Sequence, residues 1–156
     1  MNSMKHKIII KTLFSIFFLL LLIVCFSQQS FAAEKFVRKY QKNIDLSHSQ
    51  TEVTVGRYKI KADMSRPALP FREIVFRFHI ERDGRPVELK SGDVKFNMVM
   101  DMGLYKARLQ KAATGYTAKI TLPKCIFGGQ RWFAKLEFEE GNFSAEKVFL
   151  FDMDEK

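Results

Sequence analysis

Three methionines at two-residue intervals, Met98, Met100 and Met102 in the stretch FNMVMDMG, are the residues of this chain whose type and spacing could do chemistry. Thioethers are soft ligands suited to Cu(I), and they have no proton to lose on binding. Unlike thiols, they are not consumed by disulfide formation in an oxidising compartment. The cofactor this pattern would support is therefore copper, against a plain core reading with no cofactor at all. On a strand, period two sends Phe96, Met98, Met100 and Met102 to one face and Lys95, Asn97, Val99 and Asp101 to the other. The polar company of the second face marks the methionine face as inward. Methionine is a flexible, apolar gap-filler, so packing is the default for Met98 and Met100. Side chains two apart on a strand start about 7 Å apart, so at most two neighbours would meet one ion. Met102, at the end of the run beside Gly103, is the one best placed to meet solvent or metal.

A further ligand would have to come from elsewhere. His79 alternates with phenylalanines in EIVFRFHIE and belongs to the polar face of its strand. His48 lies in a loop with no motif around it. Met64 and Met153 fall at segment ends, where a sandwich exposes its loops, and could join Met102 if strand pairing brings them together. Cys125 reads as a small buried hydrophobe and lacks the His-rich spacing of a blue-copper loop. Catalysis fits poorly: the chain has no nucleophile elbow, zincin helix or Gly-rich phosphate cradle, and the carboxylates of Asp152, Asp154 and Glu155 sit at a chain end.

Where such ligands would operate depends on the N-terminus. Lys5, Lys7 and Lys11 precede an uncharged run over residues 12–26, and Ser30-Phe31-Ala32 follows with small residues at both recognition positions. That is the layout of a secretory signal peptide cleaved after Ala32. The apolar run is short of the ~20 residues that a spanning helix needs. Retained, it would be a membrane anchor. Removing 32 of the 156 residues leaves 124, enough for one domain with its own core. The segment takes with it three of the 26 lysines and arginines and none of the 17 acids, so the remainder carries +6. Such a charge suits an anionic membrane surface or an acidic partner, and export excludes nucleic acid. A single cysteine, Cys125, then remains, so no internal disulfide stabilises the domain.

The segments that position these residues read as all-β. Residues 34–46 have helix-like apolar spacing and predict one or two helical turns. Thereafter the period is two, over 57–64, 73–81, 94–102, 105–110, 116–122, 131–139 and 143–152, with turns at Asp83-Gly84, Gly103, Thr114-Gly115, Gly128-Gly129 and Glu140-Gly141-Asn142. Trp132 and Phe78 sit among alternating apolar neighbours and are predicted core. Seven short strands predict an immunoglobulin-like antiparallel β-sandwich. The domains expected are a signal peptide (1–32), an N-terminal extension (33–50) and a sandwich (51–156).

The succession Gly84-Arg85-Pro86-Val87, Met98 to Gly103, Gly115-Tyr116-Thr117-Ala118, Leu122-Pro123 and Gly129-Gln130-Arg131-Trp132 resembles the exported YtkA-like domains, related to the FixH-like proteins. The resemblance spans about residues 71–150. It implies an immunoglobulin-like fold outside the cytoplasmic membrane, in the periplasm or its equivalent, and in some members a link to copper handling or haem-copper oxidase assembly. FixH-like proteins keep a membrane anchor, whereas cleavage is expected here, and Lys124-Cys125-Ile126-Phe127 falls outside the pattern. Two functions of different classes follow: an accessory factor that handles copper for a membrane protein complex, with Met98, Met100 and Met102 as ligands, or an envelope protein-interaction module with no metal. Accessible, clustered methionines would favour the first; buried methionines beneath an exposed apolar or basic patch would favour the second.

Overall fold

The computed structural model of the protein describes residues 44–154 apart from 99 and 101. The expected signal peptide and residues 33–43 of the extension lie outside the described residues.

Ten strands follow in chain order: β1 (Thr51–Val55), β2 (Tyr58–Met64), β3 (Glu73–Arg82), β4 (Arg85–Pro86), β5 (Ser91–Met98), β6 (Tyr105–Arg108), β7 (Gln110–Ala112), β8 (Gly115–Thr121), β9 (Arg131–Glu140) and β10 (Phe143–Asp152). All their pairings are antiparallel, in a sheet ordered β1-β2-β3-β8-β7, with β4 on β3, and a second ordered β10-β9-β5-β6. The two inner faces meet in one core, as the all-β sandwich reading expects. Ile74, Phe76, Phe78 and Ile80 of β3 are all buried, and so are Trp132, Ala134, Leu136 and Phe138 of β9. Phe76 lies 5.0 Å from Phe96 and 5.2 Å from Phe151 between ring centroids, which ties the two sheets together across the core.

Four elements differ from the sequence expectation, each for a local reason. The strand expected over 94–102 starts earlier, at Ser91, and stops at Met98. Asn97 ends it: its Oδ1 accepts the Met98 N–H at 2.7 Å and the Met102 N–H at 3.4 Å, offering the backbone an alternative to the ladder. The segment 105–110 is two strands, because the chain crosses between sheets at Leu109, with β6 pairing with β5 and β7 with β8. β1 is an additional edge strand; TEVTV carries β-branched residues on both faces, so it gives no contrast of period. Residues 44–46 are not helical but run parallel to β10, with Leu46 N–H donating to Leu150 O at 2.7 Å. The Asp83-Gly84 turn forms as expected, both residues at positive φ, in a two-residue hairpin.

Candidate functional site

Strand register gathers the sulfur atoms at one end of the sandwich. Met64 closes β2 opposite Phe76, Met98 closes β5 opposite Trp132, and Met153 follows β10 with its N–H donating to Gln130 O at 2.9 Å. Cys125 belongs to the loop that carries the chain from β8 to β9 across this same end. A Cβ on Gly129 would stand 3.0 Å from Met98 Cε and 3.4 Å from Cys125 Sγ, so these two side chains pack on the same glycine. Met64, Met98, Cys125 and Met153 are buried, and Met102 is partly buried against the core. They form an apolar floor.

Met100 departs from its expected inward place. With the strand finished at Met98, it stands in a bend and is 46% exposed, while Met102 is more buried than expected. The structure therefore brings Met98 to Cys125 and Gly129 and does not hold Met98, Met100 and Met102 on one face. Neither histidine joins them as a described contact: His79 faces outward from β3 with Nε2 3.0 Å from Glu81 Oε1, and His48 is exposed in the bend 47–49. Among the described residues no three His, Cys, Asp or Glu side chains are grouped to hold a metal ion. Thioethers are outside that donor set.

Above the floor stand large apolar side chains in solvent. Phe71 is 69% exposed, Leu104 67%, Ile126 84% and Phe127 71%, and with Met100 they come from the loops β2–β3, β5–β6 and β8–β9. Pairing of Glu73 with Thr121, and of Met98 with Trp132, puts all three loops at the end where the methionines gather. Backbone hydrogen bonds join the β2–β3 loop to the β8–β9 loop and to the segment after β10, and close a turn within the β8–β9 loop. Phe71 N–H donates to Leu122 O at 2.8 Å, Gly128 N–H to Cys125 O at 3.2 Å and Asp154 N–H to Ala68 O at 2.8 Å. Phe71 itself sits at φ 59°, a left-handed conformation costly for a residue with a Cβ, and it does so with its ring in water. Sequence reasoning missed this set. The available signal was Ile126-Phe127 standing between turn residues and outside any alternating run.

Charge at this end is mixed. Arg131 bridges Asp45 and Asp152, each at 2.5 Å, and so joins residues 44–47 to β10. Burial of the Asp45 carboxyl opposes ionisation, but hydrogen bonds from Ser47 and the Arg131 guanidinium outweigh it and lower the pKa. Arg72 and Lys124, next to Phe71 and near Ile126, are exposed and form no ion pair among the described residues. At the opposite end, Glu140 accepts from Tyr58 Oη at 2.9 Å and from Arg82 at 2.7 Å, beside a recess of about 360 Å³ lined in part by Val55 and Phe143. Those polar groups satisfy one another, and among the described residues the exposed Phe143 stands there without further exposed large apolar side chains.

The architecture defines a small all-β sandwich domain with one apolar loop end. No known family model matches the chain, and no curated protein matches it in sequence. Among solved structures it is similar to a DUF4785 family protein from Legionella pneumophila, at TM-score 0.48 and 10% identity; the match covers 65% of this chain but only 29% of the length of that one. It is also similar to a DUF4426 family protein from Pseudomonas aeruginosa, at TM-score 0.46 and 11% identity, over 67% of this chain and 97% of that one.

Proposed function

We propose that this chain is an exported, non-catalytic β-sandwich that works as an interaction module of the cell envelope, docking through the loop end formed by Phe71, Leu104, Ile126 and Phe127. One observation carries the reading: at the end of the sandwich where the buried methionines gather, three loops each present large apolar side chains to solvent, a concentration of exposed apolar surface that marks an interaction site. The basic chain and the signal-peptide layout of residues 1–32 support an extracytoplasmic place for it. The YtkA-like resemblance supports the same compartment. Fractionation tests the reading. The parent should be recovered with the envelope and the Ile126→Ser/Phe127→Ser variant should be released, with equal thermal stability; equal recovery of both would overturn it.

A second reading, copper handling for a respiratory oxidase or another membrane complex, is favoured by the packing of Met98 and Cys125 on Gly129, with Met64, Met102 and Met153 at the same end. A thiol and a thioether are a donor pair suited to Cu(I). Anaerobic titration against a Cu(I) chelator separates the readings. Tight one-to-one binding lost in Met98→Leu/Cys125→Ala would establish the copper site, and loss only in Met100→Leu/Met102→Leu would move it to the loop.

A further inference from the structure

Resting on the docking role of the loop end, we infer that its partner is an anionic lipid bilayer, into which Phe71, Leu104, Ile126 and Phe127 insert while Arg72 and Lys124 meet the headgroups. The four apolar side chains come from three different loops, and each is more than half exposed. Three surface recesses among the described residues, of about 390, 360 and 290 Å³, are lined by residues other than these four. A bilayer accepts separate apolar points without shape complementarity, whereas a protein partner needs a matching surface.

Charge favours the same partner. Arg72 adjoins Phe71 and Lys124 lies two residues before Ile126, so each of these two apolar loops carries an exposed cation close by in the chain, free of any ion pair among the described residues. Asp154, beside Ala68, is an exposed acid at this end without a described ion pair, so the unpaired groups there still lean positive, as residues 33–156 do at +6. Cations so placed gain from anionic headgroups, and the gain is lost at high salt. The positive φ of Phe71 fits too: the backbone holds a ring outward in a conformation that does nothing for packing in water.

The test puts a reporter at the tip. In Phe127→Trp the new indole is exposed, while Trp132 is buried and serves as an internal constant. Mixed with vesicles of phosphatidylcholine and phosphatidylglycerol, the exported protein should show a blue shift and quenching by brominated acyl chains, and pure phosphatidylcholine should give neither. Adding Arg72→Gln/Lys124→Gln should lower partition by roughly tenfold or more. Absence of quenching on anionic vesicles would overturn the bilayer as partner, and equal quenching on both lipids would overturn the anionic headgroups as what it recognises. Sedimentation velocity of the parent and of Ile126→Ser/Phe127→Ser tells what then survives. Tip-dependent self-association without lipid binding would keep the docking end and replace the bilayer by a second copy, whereas no response in either assay would overturn both.

Discussion

Met98 Cε and Cys125 Sγ meet at Gly129, where a Cβ would stand 3.0 Å from the first and 3.4 Å from the second. A hydrogen is all that the backbone can carry there without moving its neighbours. The closer neighbour is the far end of a flexible side chain, so Gly129→Ala should cost less than about 1.5 kcal/mol as Met98 turns aside. Gly115 makes the contrast: its Cβ would stand 2.3 Å from Phe78 O, at φ 106°. Gly115→Ala should therefore cost clearly more than ~1 kcal/mol, since backbone must give way and the conformation is unsuited to alanine. Denaturant titration of the two variants side by side checks the order, and a larger loss at Gly129 would contradict it.

Cys125 is buried in the floor of the loop end. A bulky maleimide should modify it slowly in the native protein and quickly in guanidinium chloride, because reaction needs both access and thiolate. Mass spectrometry over time reads the rate. Fast native labelling would show that the loop between β8 and β9 opens.

Phe78 and Trp132 belong to facing sheets and are both fully enclosed. Either one changed to alanine should cost about 3 to 5 kcal/mol, a large share of a small domain's stability. Exposed Phe71 should behave differently. Phe71→Gly relieves a left-handed residue and removes no buried ring, so its stability should change by no more than about 1 kcal/mol. Thermal unfolding of the three variants tests the division; a loss at Phe71 equal to that at Phe78 would make its ring structural.

Acid should weaken the outer face of the second sheet. Burial of the Glu137 carboxyl opposes its ionisation, but Lys135 and Lys95 outweigh this with bonds at 2.8 and 2.6 Å and lower its pKa below the ordinary 4.5. Asp45 is lowered in the same sense. A carboxyl with a depressed folded-state pKa stabilises fully above its unfolded value, and that contribution fades as pH falls through the folded value. The midpoint of unfolding should hold steady above about pH 5 and drop below it, with a shallower drop in Glu137→Gln. Parallel curves for parent and variant would refute the assignment.

The sequence alone carried the sandwich, because inward and outward residues of strands such as β3 and β9 differ sharply in polarity, and period two is a local property of the chain. It also carried the core roles of Phe78 and Trp132 and the Asp83-Gly84 hairpin, since alternation and turn chemistry act within a few residues. The signal-peptide reading of residues 1–32 belongs to the sequence entirely. Only the tertiary structure decided the methionines. Asn97 captures two backbone amides and ends the strand at Met98, a choice between side-chain and ladder hydrogen bonds that periodicity does not register, and so Met100 turns outward. The loop end was equally illegible. Phe71, Leu104, Ile126 and Phe127 are far apart along the chain, and pairing between distant strands brings their loops to one end. Whether an apolar side chain is covered depends on what the rest of the chain leaves beside it, and here nothing described covers these four.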